Sequence, residues 1–147
     1  MVIATKKFLE DIGLAPYLMT TGKKGYHVAV PIEPDSTFKE VRAFAGKIAD
    51  TLVKAYPDSL TSELTIKKRE DKIFLDVNRN SSKQTSVAPY SIRAQKGFPI
   101  AKPISWDELE TSEPDTYTIF DDLGEDPWKD FDKRRVSIND VMKRLKE

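Results

Sequence analysis

Three stretches of the sequence carry residue types that could do chemistry. The first, "TTGKKGYH" from Thr20 to His27, packs two threonines, two glycines, two lysines and the chain's single histidine into eight positions. Gly22 and Gly25 would let backbone N–H groups converge without a Cβ in the way, and Lys23 or Lys24 supplies charge, a combination that suits a phosphate. Glycine and lysine are equally at home in a surface turn, and the stretch is not the GxxxxGK[ST] phosphate loop. On the residues alone both readings stay open. A strand histidine such as His27 serves as readily in a structural hydrogen bond as in a site. The second stretch is "KIFLDVN", where Asp76 sits between apolar neighbours. An ionised carboxylate inside a strand is costly unless it meets a cation or several donors, so a metal, a lysine or an arginine such as Arg79 or Arg93 is implied. The third is "APYSIRA", which as a strand would place Ser91 and Arg93 on one face.

Composition narrows the chemistry. The 147 residues contain 24 basic and 24 acidic side chains, so there is no global field for nucleic acid and any anion site must be local. There is no cysteine and one histidine, which excludes disulfides, thiolate zinc, a cysteine nucleophile and a multi-histidine metal site; a metal would need carboxylates. An Asp-x-Asp does occur, at Asp130 and Asp132 in "DDLGEDPWKDFDKRR". No hydrophobic strand precedes it and basic residues follow at once, so it reads as a solvated face with a structural Trp128. No apolar run approaches the ~18 residues of a membrane span and no secretory segment opens the chain; the expectation is a cytoplasmic protein with no membrane partner.

The elements that must position these residues follow from periodicity. Residues 2–12 predict a helix with Phe8, Leu9 and Ile12 on one stripe and Gly13 as its stop. "YHVAVPI" alternates as a half-buried strand ended by Pro31 and Pro34. Thr37 and Glu40 have capping-box spacing ahead of a stripe of Phe38, Val41, Phe44, Ala45, Ile48, Leu52 and Val53, closed by Pro57. "LTSELTIKKRED" is either a short helix or a polar connector. "KIFLDVN" predicts a strand with Ile73, Leu75 and Val77 on one face and Phe74, Asp76 and Asn78 on the other. "RNSSKQT" is a turn, "SWDELE" a short helix, and Ser137–Lys146 a small amphipathic helix with Ile138, Val141, Met142 and Leu145 inward. The sum is a single α+β domain, 1–147, with a mainly antiparallel sheet and helices packed on one face.

Taken in order, these segments resemble the polymerase domain of ligase D, a primase-polymerase of the archaeo-eukaryotic primase superfamily. The resemblance is carried by "DIGLAPYLMTTGKKGYHVAVPI", by "LTSELTIKKREDKIFLDVNRNSSKQTSVAPYSIRAQKGFPIAKPISWDEL" and by "EDPW", from about residue 8 to residue 131. It implies a half domain matching the C-terminal part of that fold. It also implies roles. Thr21, Lys24 and His27 fall on the family's second motif and would contact the triphosphate or sugar of a nucleotide. Ser91 and Arg93 fall on the stretch that grips the triphosphate. Asp76 falls on the third motif, whose catalytic aspartate helps hold Mg²⁺ or Mn²⁺.

The resemblance further implies DNA repair by end joining. Its partners would be a nucleoside triphosphate, DNA ends, a ligase domain, a Ku-type end-joining protein or a chain carrying the other polymerase half. The sequence departs from the pattern in three places. Thr21 stands for the usual serine, Lys23 for a usual glycine, and the residues before Thr21 hold no Asp-x-Asp of the family's first motif. The resulting expectation is a nucleotide- or DNA-binding nucleotidyltransferase-family domain that is not catalytic alone. The alternatives are a subunit of a split nucleotidyltransferase completed by another chain, and a non-catalytic structural remnant.

Overall fold

The structure is a computed structural model and describes residues 1–145. The chain forms two compact units, one from residues 1–5, 34–86 and 137–147, the other from residues 6–33 and 87–136. Helix α1 (Val2–Asp11) buries Leu9 and ends where Gly13 takes φ 83° and donates its N–H to the Glu10 carbonyl. That is the glycine stop the sequence predicts.

The second unit is built on an antiparallel sheet of β1 (Tyr17–Thr20), β2 (Tyr26–Ala29) and β5 (Pro103–Ile104), in the order β2-β1-β5. Strand β1 is central, and Leu18, Met19 and Thr20 are all buried. A strand covered on both faces reads as a continuous apolar run, which is why "APYLMT" does not alternate. Leu9, Leu14, Ile100, Ala101 and Ile104 complete its core. The two tryptophans tie irregular chain to this strand. Trp106 donates its indole N–H to the Pro16 carbonyl, and Trp128 donates to Leu18, both at 3.0 Å. Trp128 also stacks on Phe131, with Tyr17 edge-on to both rings. The structural reading of Trp128 holds, and the neighbouring Asp130 and Asp132 pair at the surface with Lys133 and Arg135.

One charged group lies within this core. The Lys102 side chain is only 6% exposed, and its ammonium meets the Glu108 carboxylate at 2.9 Å and the Tyr117 ring at 4.1 Å. Burial alone would raise the Glu108 carboxyl. The Ser105 N–H, the Lys102 ammonium and the Tyr117 hydroxyl overcome it and hold the pKa at about 2. Tyr117 moves the other way, to about 12, through burial and the adjacent carboxylate. Glu108 sits on a 3-10 helix, Asp107–Glu110, where "SWDELE" predicts a short helix.

The other unit centres on α2 (Phe38–Ala55). Thr37 accepts the Glu40 N–H while Glu40 accepts the Thr37 N–H, the full capping box. Phe44, Ala49 and Leu52 are buried, as are Leu60 and, from α3 (Ile138–Arg144), Ile138 and Val141. Ser137 caps α3; Leu145 is 57% exposed rather than inward, and Lys146 lies outside the described residues. A parallel pair joins β3 (Leu60–Thr61) to β4 (Ile73–Phe74). "LTSELTIKKRED" is therefore a two-residue strand followed by a connector with one 3-10 turn, Ile66–Lys68.

Two sequence expectations need correction. The strand over "KIFLDVN" is only two residues long, and Ile73 is 51% exposed rather than buried. Its sole partner ends at Thr61, and Asp76 Oδ1 then accepts the Asn78 N–H at 3.0 Å, so a side chain takes over where the ladder stops. "APYSIRA" is likewise not a regular strand. It makes one bridge, Ile92 to Ile100, and Tyr90 adopts φ 63°. Among the described residues no helix is long and apolar enough to cross a membrane.

The Lys102–Glu108 pair generates two expectations. Glu108 has a depressed folded pKa, so its stabilisation is present above its unfolded value of 4.5 and is lost as pH falls through about 2. The full shift would correspond to roughly 3 kcal/mol, and a carboxylate one-third exposed realises less, on the order of 1–2 kcal/mol. Urea midpoints followed from about pH 6 to about pH 2 are expected to fall less in Glu108→Gln than in the wild type by that amount. Glu108→Ala, which strands a buried ammonium, is expected to destabilise by about 3 kcal/mol or more, whereas Lys102→Met is expected to cost clearly less. Equal losses in the same denaturation measurement would contradict the burial argument.

Candidate functional site

The turn between β1 and β2 is closed by a side chain. Thr21 Oγ1 accepts the N–H groups of Lys23 and Gly25, each at 3.3 Å, and donates to the Gly25 carbonyl at 2.8 Å. The Thr21 N–H also goes to Gly25, and the Gly22 N–H goes to the Pro114 carbonyl at 2.8 Å. The N–H groups of Thr21, Gly22, Lys23 and Gly25 are thus spent on closing the turn and on anchoring it to Pro114. What the turn offers an anion is side-chain charge. Lys23 and Lys24 are exposed, and among the described residues neither forms an ion pair.

Gly22 is required here for two reasons. Its φ is +65°, and a Cβ built on it would lie 2.5 Å from Arg93 Cγ and 3.2 Å from the Ile100 backbone. The Arg93 stem therefore lies directly against the turn. Gly25 meets neither constraint, since nothing lies within 4 Å of its would-be Cβ. Arg93 is held from the other side by backbone pairing: its N–H donates to the Pro99 carbonyl, while the Tyr90 N–H donates to the Ala101 carbonyl and the Ala101 N–H to the Ser91 carbonyl. Tyr90, strained at positive φ, donates its hydroxyl to Asp126 at 3.0 Å, and burial and then that carboxylate raise its pKa to about 12. Ser91 and Arg93 are both half-buried beside it, and among the described residues Arg93 has no acidic partner.

His27 stands on β2 opposite Met19, half-buried, two residues past the turn. Its neighbour Tyr26 donates a 2.6 Å hydrogen bond to the Ser112 carbonyl. Burial and then the Glu113 charge raise the Tyr26 phenol, keeping it a donor. The structure thus gathers Thr21, Gly22 and Arg93 at one turn, with Lys24 at its tip and His27 on the strand leaving it. Asp76 belongs to the other compact unit.

A divalent cation held by Asp76 would require several oxygen ligands. Asp76 is exposed, one of its oxygens accepts the Asn78 N–H, and the other lies 3.9 Å from Arg79 Nε. Among the described residues no three His, Cys, Asp or Glu groups stand close enough together to hold a metal. The donor set that the described residues offer at Asp76 does not fit a held Mg²⁺ or Mn²⁺. The residue that sequence reasoning missed is Lys102, although "PIAKPI" places a lysine in an apolar run six positions before Glu108.

Comparison with known proteins shows the family. The family model for the LigD primase-polymerase domain matches residues 1–128. The multifunctional non-homologous end joining protein LigD of Pseudomonas aeruginosa is 34% identical over 144 aligned residues, covering 92% of this chain and 17% of that protein. The bifunctional LigD of Bacillus subtilis is 33% identical over 116 residues, covering 78% of this chain and 19% of that protein. Among solved structures, the polymerase domain of Mycobacterium tuberculosis ligase D in complex with DNA superposes with a TM-score of 0.71 at 29% identity, over 99% of this chain and 44% of that one. The chain spans less than a fifth of those curated relatives and under half of that solved domain. With its hairpin, its arginine-backed turn and most of its length inside the match, this chain belongs to the LigD primase-polymerase domain family.

Proposed function

We propose that this chain is the triphosphate-gripping part of an end-joining primase-polymerase, binding a nucleoside triphosphate or the phosphates of a DNA end. The observation that carries the reading is Arg93: half-buried, packed by its stem on the Gly22 turn and without an acidic partner among the described residues. An arginine fixed in this way presents a planar fork of donors suited to phosphate oxygens. Lys24 adds a flexible second charge, and His27 and Ser91 add donors toward sugar or phosphate. Thr21 acts through the turn, whose shape its hydroxyl sets. Phosphoryl chemistry asks a protein mainly for positioning and electrostatic stabilisation, and this half of the task needs only these groups.

The reading extends to partners through the names of the relatives, which are end-joining proteins, and of the solved neighbour, which is bound to DNA. DNA ends, a ligase domain and a Ku-type protein are the partners proposed. Catalysis is proposed to need acidic ligands from outside this chain, because Asp76 stands without the company that a divalent ion demands. Such ligands from a neighbouring chain would make this a split nucleotidyltransferase.

Titration calorimetry with a nucleoside triphosphate tests the grip. Arg93→Ala is expected to weaken binding by about 1.5–3 kcal/mol, tenfold or more, and Lys24→Ala by less. Gly22→Ala is expected to weaken it as well, because its methyl must displace the Arg93 stem. Binding that is unchanged in Arg93→Ala would refute the reading. The purified chain is expected to extend no primer, and templated incorporation that disappears in Asp76→Ala would overturn the proposed need for outside ligands.

A further inference from the structure

One cleft in the unit of α2 collects chemistry that the triphosphate grip does not use. Its volume is about 540 Å³ and its walls are Phe38, Lys39, Arg42, Ala43, Ser81 and Ser82. Phe38 opens α2 with 64% of its surface exposed, although its place in the apolar stripe predicts burial. Four residues on, one helical turn away, comes Arg42, with Lys39 between them in sequence. Arg42 Nη2 donates to Asn78 Oδ1 at 3.0 Å, which ties the guanidinium to the turn carrying Ser81 and Ser82. Among the described residues neither Lys39 nor Arg42 is paired with an acid. The nearest acid in sequence, Glu40, is folded back onto Thr37 and held below its usual pKa by the Thr37 N–H and hydroxyl. The Ser81 hydroxyl oxygen is buried and among the described residues has no hydrogen-bond partner, which is uncommon for a group of its polarity.

An exposed aromatic ring, two unpaired cations and an unsatisfied hydroxyl around one cleft form a specific set. A base stacks on an aromatic face whatever its identity, and basic side chains follow the phosphates beside it. The volume lies within the range of small-ligand clefts. An acidic peptide would answer the cations and leave the ring without a partner. We propose that this cleft binds one nucleotide unit of a single-stranded nucleic acid, its base on Phe38, its phosphodiester at Lys39 and Arg42, and the Ser81 and Ser82 hydroxyls as further donors. The proposal goes beyond the triphosphate grip, shares no residue with it and stands or falls without it.

Fluorescence anisotropy of the full chain with a dye-labelled oligothymidylate of about 12 nucleotides, at low salt, tests it. Phe38→Ala is expected to weaken binding about tenfold. Lys39→Ala and Arg42→Ala are each expected to flatten the plot of log affinity against log salt by about 0.7. Circular dichroism is expected to be unchanged in all three, since the three side chains are exposed. An abasic strand of the same length is expected to bind as weakly as Phe38→Ala binds the intact one. Equal affinity for intact and abasic strands overturns the proposal, as does no binding, or loss of binding in Arg93→Ala but in none of the three cleft variants. Thymidine monophosphate that competes as well as the strand, mole for mole, overturns the assignment to a strand.

Discussion

A buried ammonium organises the sheet unit. Lys102 brings its charge to 6% exposure, and a lysine so placed is tolerable only where a carboxylate and further polar or aromatic groups meet it. Glu108 and Tyr117 do so, and both come from the irregular chain after β5, so satisfying one charge helps to fix a segment whose own pairing among the described residues is a single bridge, Pro99 to Thr118. The main chain of the same residue exchanges hydrogen bonds with Thr20, giving its N–H to the Thr20 hydroxyl and accepting the Thr20 N–H. That segment then holds the β1–β2 hairpin at two points, through Ser112 to the Tyr26 hydroxyl and through Pro114 to the Gly22 N–H. An ion pair on which no ligand need ever act thus contributes, with the Pro99–Thr118 bridge, to positioning the candidate site.

The turn itself separates shape from charge. A threonine hydroxyl and two carbonyls occupy the N–H groups of Thr21, Gly22, Lys23 and Gly25, so the loop's shape is set by its own bonds. Charge then arrives from residues of different freedom: a lysine at the tip, and an arginine whose stem is packed against the glycine. A preorganised fork loses less side-chain entropy on binding than a mobile one, which is why Arg93 rather than Lys24 is the anchor proposed.

What could be read from the sequence follows the range of the interactions involved. The capping box of α2 and the glycine stop of α1 depend on neighbours a few positions apart, and both are present; of "YHVAVPI" the strand keeps Tyr26–Ala29. The segments around Asp76 and Arg93 depend on distant partners, and there alternation misleads. Ile73 alternates correctly yet finds only a two-residue strand beside it, and Phe38 fits the apolar stripe yet stays in water. Proline, asparagine and the Asp76 carboxylate favour local closure over ladder formation in these stretches. Lys102 was legible only as an anomaly, because the identity of its partner depends on how the chain after Ile104 folds back. Family membership was legible in full, since it rests on words and their order rather than on faces and burial.

Strand β2 is terminal in its three-stranded sheet, pairing among the described residues with β1. Terminal strands leave every second backbone group unclaimed along one flank, which often invites association between molecules. Here the strand is four residues long, with a proline at position 31 and lysines at positions 23 and 24, so any foreign strand would find little length to grip and a positive charge at one end. Along the strand that carries His27, chain-to-chain stacking is thus discouraged by brevity and by charge.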